Sequence, residues 1–170
     1  NSCIKAITLN AAEQGWEVLG FRRGWAGPLA YDPAGGHQDL IQLTPQSVRV
    51  IDRTGGTILH SSRTNPAKVK AKDLPGFLKP ESLQRNGDVY DATPHILRVL
   101  EALKIDVLVA IGGDDTLSYA ARLHKEGATE MPATTHQDRV AVYQVRNLFE
   151  HEVLPLVRGP HERRQRPRLR

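Results

Sequence analysis

The spacing of apolar residues along the chain predicts alternating helices and strands. Ile4, Ile7 and Ala11 recur at helical spacing, which predicts an amphipathic helix over 2–14. Directly after it, a short strand is predicted at 16–21 by the run WEVLGF. A helix that leads into a strand is part of the unit from which layered α/β domains are built.

Between this strand and the middle of the chain the signals are shorter. Glycine and proline punctuate 22–29 and predict a turn-rich loop. Thr44 as an N-cap, followed by Pro45, predicts a short helix, and the segment 57–59 predicts a short strand. The polar stretch 64–90 predicts a surface connection.

The strongest pattern is a helix, a buried strand and a second helix in succession. Thr93 as the cap and Pro94 in the first turn predict a helix over 92–105. The uninterrupted apolar run 106–111 predicts a strand buried on both faces of a parallel sheet, and a helix resumes over 116–127. This order indicates a layered α/β domain with parallel strands. The apolar stripe of the first helix consists of Ile96, Val99, Leu100 and Leu103.

The loop between that strand and the second helix has the sequence GGDD, at 112–115. Ligands of open α/β sheets bind beyond the carboxyl ends of the strands, and glycines let the backbone approach them. Free N–H groups at the start of the next helix suit phosphate, whereas a carboxylate there repels a bare anion. Asp114 or Asp115 is therefore explained by a divalent cation between carboxylate and phosphate. The structural alternative is that Asp115 and Thr116 only cap the helix.

Composition and charge limit the remaining possibilities. The 170 residues are 39% hydrophobic and 25% charged, which is typical of a globular domain, and no apolar run has the length of a membrane span. The single cysteine, Cys3, excludes an internal disulfide and fits a reducing cytoplasm. The formal net charge of +4 comes entirely from residues 131–170, which contain eight arginines, no lysine and four acidic residues.

Three ordered blocks carry a family resemblance. The stretch RTGGTILHSSRTNP at 53–66, followed by IGGDDT at 111–116, resembles the 6-phosphofructokinase family. The segment GWEVLGFRRGWAGPL at 15–29 fits the same family, in which a strand leads into a glycine-containing loop. NSCIKAI at 1–7 looks like the helix that follows the family's first glycine-rich loop, with the loop itself absent. The resemblance implies an incomplete, Rossmann-like phosphofructokinase domain with a layered parallel sheet.

The resemblance also implies an activity and a set of site residues. Members of the family transfer a phosphoryl group to the 1-hydroxyl of fructose 6-phosphate. By analogy, Asp114 would hold Mg²⁺ on the donor phosphates, and Arg63 would contact those phosphates, with Thr64 beside it. The alternative for Arg63 is a surface ion pair. The loop residues that would line the donor site are Gly112, Gly113, Asp115 and Thr116.

Asp115 bears on the choice of donor. ATP-using members of the family resemble Gly-Gly-Asp-Gly here, and a glycine leaves room for the α-phosphate of a nucleotide. A carboxylate fills that room, and two unit charges about 4 Å apart repel by about 4 kcal/mol at an effective dielectric constant near 20. Pyrophosphate lacks the third phosphate and the nucleoside, so GGDD points to a pyrophosphate-dependent enzyme. ATP remains the alternative donor if Asp115 turns away as a helix cap.

The resemblance ends at about residue 128. The family's P-K-T-x-D-N-D block, whose aspartate acts as the base, is not found, and Asp138 stands in an unrelated context. We therefore expect a partial donor-binding domain over 1–128 and an atypical, disordered Arg-rich tail over 129–170, derived from a shifted reading frame or a foreign junction. The alternative is a natural divergent tail. The chain alone would lack the base and most of the fructose 6-phosphate site, and would be inactive.

Three further expectations concern partners and location. The resemblance implies a homo-oligomer for the full-length parent and a cytoplasmic location, without a membrane partner. A different class of function would be nucleic-acid binding through the basic segment 158–170. That segment contains no aromatic residue for base stacking, which favours a solvated tail.

Overall fold

The computed structural model describes residues 1–35, 38–127, 139–144 and 152–157. Helices in this part are α1 (Ser2–Glu13), α2 (Ala26–Leu29), α3 (Thr93–Ala102) and α4 (Asp114–Gly127). Strands are β1 (Glu17–Phe21), β2 (Leu40–Leu43), β3 (Val69–Lys70), β4 (Gln84–Asn86), β5 (Val89–Asp91), β6 (Val107–Gly112), β7 (Arg139–Gln144) and β8 (Glu152–Val157). Helical turns of the 3₁₀ type cover Ile51–Arg53, Pro66–Lys68, Ala71–Asp73 and Pro80–Ser82.

The main sheet has five strands in the order β2-β1-β7-β6-β8. Its three central strands are parallel: β7 pairs with β1 on one side and with β6 on the other. The outer strands β2 and β8 run antiparallel to their neighbours. The expected α/β fold with a parallel sheet is confirmed for the centre of the sheet, and its outer strands make it a mixed sheet.

Apolar side chains lie on both faces of the strands β1 and β6. Successive side chains of a strand point to opposite faces, and β6 shows this directly. Leu108 and Ala110 pack in a cluster with α3 and α4, whereas Val109 and Ile111 pack in a second cluster with α1. The prediction of a strand buried on both faces is therefore confirmed, and the helices cover the sheet as two layers.

Several local predictions are confirmed with small shifts. The helix over 2–14 is α1, and Gly15 follows it with a φ of +77°, a left-handed conformation that glycine adopts at helix ends. Thr93 is not the cap of α3 but its first residue. The carboxylate of Asp91 accepts hydrogen bonds from the Thr93 amide and hydroxyl, at 2.9 Å and 2.5 Å, and so caps the helix from two residues earlier.

Other local predictions are wrong. The segment 57–59 forms a turn instead of a strand, and 22–29 contains the short helix α2. Thr44 does act as a cap, since its hydroxyl accepts from the Ser47 amide at 3.1 Å, but turns and the 3₁₀ turn Ile51–Arg53 follow it instead of an α-helix. The stretch 64–90 is more ordered than a surface connection, since it forms much of a second, three-stranded sheet.

That second sheet has the order β3-β5-β4 with antiparallel pairing, and β5 leads directly into α3. The strands β7 and β8 lie within the stretch 129–170 that we assigned to a tail. The boundary after residue 128 and the shifted reading frame stay predictions, and Asp138 and the segment 158–170 lie outside the described residues. Among the described residues, no helix combines the length and the apolar character that crossing a bilayer requires.

Candidate functional site

The GGDD loop stands where β6 ends and α4 begins. Gly112 is the last residue of β6, and Gly113 links it to Asp114, the first residue of α4. The carbonyl of Gly113 accepts hydrogen bonds from the amides of Thr116 and Leu117, at 2.9 Å and 3.1 Å. The loop therefore lies at the carboxyl end of a central parallel strand, where α/β sheets bind ligands.

The residues of this loop differ in their exposure to solvent. Gly112 and Gly113 are buried, whereas the carboxylates of Asp114 and Asp115 are exposed on the first turn of α4. Two carboxylates stabilise the positive end of the helix by about 0.3–1 kcal/mol each. This charge effect would account for Asp115 without a ligand, and both exposed side chains are also accessible to one.

Thr116 is held against Gly112. A Cβ at position 112 would lie 2.5 Å from the Thr116 Oγ1 and 2.8 Å from its Cβ, so only glycine fits there. Thr116 is 1% exposed, and within the described part of the chain its hydroxyl has no hydrogen-bond partner. A buried hydroxyl without a partner is costly, which marks this loop as built for something besides packing.

The carboxylates at Asp114 and Asp115 suit a magnesium ion that is also held by substrate phosphates. With the other described residues, they do not form a metal site made of protein ligands alone. In the residues described by the structure, no group of three or more His, Cys, Asp or Glu side chains is placed to hold a metal ion. Mg²⁺ is usually bound by one or two carboxylates together with substrate phosphates and water. If Mg²⁺ binds here, Asp114, alone or with Asp115, would supply the protein's share of such a site.

Arg63 and Thr64 form a second group of predicted site residues, on the segment that leads into the 3₁₀ turn Pro66–Lys68. Ser62 and Asn65 shape the backbone there: the Ser62 hydroxyl accepts from the Thr64 amide at 3.3 Å, and the Asn65 side chain accepts from the Ala67 amide at 3.0 Å. Arg63 is exposed, and it forms no ion pair with any described residue, the alternative we considered for it.

Arg63 and Thr64 line an open cavity of about 540 Å³. Four more basic side chains line it, and sequence analysis did not select them: Arg23, Lys68, Lys70 and Lys72. The only sequence signal was the spacing of the three lysines, every second residue, in a stretch we had taken for a connection. The described lining residues of this cavity include none of the loop 112–116.

A buried polar network joins α4 to the start of α3, and the sequence analysis did not identify it. Asp91 is 4% exposed; its carboxylate caps α3 and accepts from the Arg122 guanidinium at 2.6 Å. The Tyr119 hydroxyl donates to the Thr93 hydroxyl at 3.2 Å. The Tyr119 ring packs edge-to-face on Trp25, with the ring centroids 4.8 Å apart. Two ionised groups thus tie α4 to the start of α3, which fixes the helix that carries the GGDD loop.

The pKa values in this network follow from its contacts. Burial raises the pKa of Asp91, but the hydrogen bonds from Thr93 and Arg122 outweigh it and hold that pKa below its ordinary value. Burial raises the pKa of the Tyr119 hydroxyl well above its ordinary value. Asp91 is therefore ionised and Tyr119 neutral at neutral pH.

Comparison with known proteins adds independent findings. The phosphofructokinase family model matches residues 1–145, which is longer than the resemblance over 1–128 and includes β7. The pyrophosphate–fructose 6-phosphate 1-phosphotransferase of Amycolatopsis mediterranei (strain S699) is 36% identical over 141 residues, 81% of this chain and 33% of the relative. That of Dictyoglomus thermophilum is 35% identical over 127 residues, 75% of this chain and 29% of the relative.

The chain is also similar to an enzyme named as ATP-dependent. The ATP-dependent 6-phosphofructokinase of Lactobacillus gasseri is 31% identical over 140 residues, 81% of this chain and 35% of the relative. The chain spans about a third of the length of the curated relatives it matches.

Proposed function

The chain belongs to the phosphofructokinase family, and we propose that it is the donor-binding part of an enzyme that uses pyrophosphate. The full enzyme would transfer a phosphoryl group from pyrophosphate to the 1-hydroxyl of fructose 6-phosphate. Asp115 carries the choice of donor, because its exposed carboxylate stands on the first turn of α4, directly after two buried glycines. The pyrophosphate-dependent relatives, at 35–36% identity against 31%, support the same choice.

Each residue of the loop has a part in this proposal. Asp114 would hold Mg²⁺, which when bound neutralises charge on the donor phosphates. Gly112 and Gly113 bring the backbone close to a ligand, and the free amides at the start of α4 would donate to phosphate oxygens. The buried Thr116 hydroxyl, without a partner in the described residues, supports a role as a further donor to phosphate.

Arg63 would supply the positive charge for the transferring phosphoryl group, with Thr64 beside it. Its side chain is exposed and makes no ion pair in the described part of the chain, so the guanidinium is available to an anion. The two groups of residues would both contact the donor. The base that accepts the proton of the sugar hydroxyl is not assigned, so the isolated chain is expected to bind the donor weakly without turnover.

We further propose Mg²⁺ as the metal, a glycolytic role in the cytoplasm, and homo-oligomeric assembly of the full-length protein. The family supports the role and the assembly. Cys3, a half-buried free thiol in the structure, supports a reducing compartment.

The first test measures donor binding by titration calorimetry of the 170-residue chain with magnesium pyrophosphate and magnesium ATP. We expect pyrophosphate to bind more tightly, and Asp114→Asn to remove the dependence on magnesium. Asp115→Gly should raise the affinity for ATP at least about tenfold, since relief of about 1.4 kcal/mol of repulsion corresponds to that factor. Asp115→Asn removes the charge but keeps the size of the side chain, so it shows whether repulsion or space limits ATP binding.

Ser118→Gly is the matched control for Asp115→Gly, because it places a glycine at an exposed position of the same helix without removing a carboxylate. It should leave both affinities unchanged. Tighter binding of ATP than of pyrophosphate by the unaltered chain would contradict the proposed donor. Robust fructose 1,6-bisphosphate formation in a coupled assay would contradict the expectation that the chain alone is inactive.

A further inference from the structure

The cavity beside Arg63 is lined by more basic side chains than the proposed binding of pyrophosphate requires. Its volume is about 540 Å³, and it lies between α2 and the segment that follows Arg63. Among its described lining residues, one carboxylate, that of Asp73, faces five basic side chains. These are Arg23, Arg63, Lys68, Lys70 and Lys72.

Local structure explains how three lysines reach one cavity. Lys70 lies on the strand β3, and Lys68 and Lys72 lie on the 3₁₀ turns on either side of it, Pro66–Lys68 and Ala71–Asp73. Val69, between two of them, is 4% exposed and packs in the core, whereas Lys70 is exposed. The pairing of Val69 with Tyr90 and of Lys70 with Val89 fixes this segment on the second sheet.

The opposite side of the cavity is also held in place. Arg23 has a φ of +60°, a left-handed conformation that is unusual for a residue with a Cβ. Its amide donates to the Leu59 carbonyl at 2.7 Å, and its Nε donates to the Asp39 carboxylate at 2.9 Å. These contacts stabilise an arginine in a strained conformation at the rim of a basic cavity.

Four of the five basic side chains have no counter-charge. Within the residues that the structure describes, Arg63 and the three lysines form neither an ion pair nor a side-chain hydrogen bond. Like charges gathered around one cavity repel each other, and an anion with several charges removes that repulsion. The cavity therefore favours a polyanion.

The lining also distinguishes between polyanions. A nucleotide would need a surface for its base, and base stacking uses aromatic side chains. The described lining residues include none; the apolar ones are small or aliphatic, such as Ala26, Leu29 and Val69. An inorganic chain of phosphates needs only cations and hydrogen-bond donors, which this cavity supplies.

We propose that this cavity binds an inorganic polyphosphate chain longer than pyrophosphate. The inference rests on the proposed function, since Arg63 would contact both the donor phosphates and the start of the longer chain. The phosphates beyond the first two would lie along Lys68, Lys70 and Lys72, with Arg23 on the opposite rim. The ligand class is therefore inorganic tripolyphosphate and its longer homologues.

The test is titration calorimetry of the full chain with inorganic tripolyphosphate and with pyrophosphate, both in excess magnesium. We expect tripolyphosphate to bind about tenfold more tightly, because it adds charge pairs with three exposed lysines that pyrophosphate does not reach. The triple variant Lys68→Gln, Lys70→Gln, Lys72→Gln should lose this preference, while its affinity for pyrophosphate changes by less than about threefold.

A second triple variant, Arg49→Gln, Lys79→Gln, Lys104→Gln, removes the same net charge at exposed positions outside the cavity lining. It should keep the preference for tripolyphosphate. Circular dichroism and the melting temperature check that both variants fold, and the single change Lys70→Gln serves if the cavity variant does not fold.

Several outcomes would overturn the inference: no preference for tripolyphosphate in the unaltered chain, equal loss in the two triple variants, or displacement of tripolyphosphate by ATP at equal concentration. Failure of the proposed function has another signature. If pyrophosphate does not bind, or binds without dependence on Asp114, the proposed function falls, whereas lysine-dependent binding of tripolyphosphate would still support the cavity as a polyphosphate site.

Discussion

At the scale of single residues, Gly112 is the most constrained position of the candidate donor loop. A methyl group there would overlap the side chain of Thr116, whose nearest atoms would lie 2.5–3.0 Å away. Thr116 is buried and has no free space into which to move. We expect Gly112→Ala to lower the free energy of unfolding by about 1–3 kcal/mol, as overpacking of a core does.

Urea unfolding followed by circular dichroism measures this loss. Gly76→Ala is the control, because a Cβ at Gly76 meets no atom within 4 Å and the backbone there is not left-handed. A stability of Gly112→Ala equal to that of the control would show that the loop adjusts to a side chain without cost.

Removal of the Thr116 hydroxyl is expected to raise the free energy of unfolding, in contrast to the change at Gly112. Because this buried group has no hydrogen-bond partner in the described residues, Thr116→Val should stabilise the unliganded chain by up to about 1 kcal/mol. The same change should weaken pyrophosphate binding if the hydroxyl donates to phosphate. Unfolding and titration on one preparation measure both effects, and Thr116→Ser, which keeps the hydroxyl, should preserve binding. A loss of stability in Thr116→Val would mean that the hydroxyl already has a partner.

The residues of the donor loop followed from the sequence because their order alone places them. An apolar run, two glycines and an amphipathic helix leave no other location for Asp114 and Asp115 than the end of a strand. The cavity lysines did not follow, although their spacing is visible. Their grouping with Arg23 depends on contacts between segments some 45 residues apart, which no local pattern reports.

At the scale of elements, the link between α3 and α4 depends on one carboxylate. Asp91 caps α3 and also receives the Arg122 guanidinium of α4. Because its pKa is lowered in the folded chain, the stability it contributes is present above the pKa of the unfolded chain and is lost as the pH falls through the folded pKa.

Asp91→Asn should therefore lower the free energy of unfolding by about 2 kcal/mol at pH 7, the contribution of a hydrogen bond to a charged group. The difference from the unaltered chain should narrow as the pH falls below about 4. Urea unfolding between pH 7 and pH 3 measures it, with the exposed Asp88→Asn as the control. A difference that stays constant with pH would contradict the role of the carboxylate charge.

Elements with one dominant signal were predictable, and elements with competing local contacts were not. The strand β6 and the helix α4 carry long, consistent patterns. The helix expected at Thr44 begins with capping contacts between Thr44 and Ser47, but only turns and the 3₁₀ turn Ile51–Arg53 follow them. The strand expected at 57–59 is a turn because the Thr57 hydroxyl accepts from the Leu59 amide, while the Leu59 side chain packs beneath β1.

At the scale of the whole molecule, the position of β7 decides whether the sheet is continuous. It pairs with β1 and with β6, whereas β8 pairs with β6 alone. A chain that ends at residue 145 should therefore keep its main melting transition, although β8 is removed. A chain that ends at residue 138 should lose that transition, because β1 and β6 then have no strand between them.

Thermal unfolding of the two shortened chains, with the 170-residue chain as reference, measures this difference. The experiment also tests the tail predicted over 129–170. If that stretch contributed nothing to the fold, both shortened chains would melt at the same temperature as the full chain.

The central place of β7 has a consequence for the order in which the protein folds. The two strands that it joins leave the ribosome first, and they cannot form a continuous sheet until residues 139–144 have followed. Until then their backbone edges are exposed while α1, α3 and α4 can already form from local contacts. Pairing over such separations is slow, so the folding rate of the molecule is expected to be limited by the insertion of a single strand. Protection of the growing chain by a chaperone would matter most during this interval.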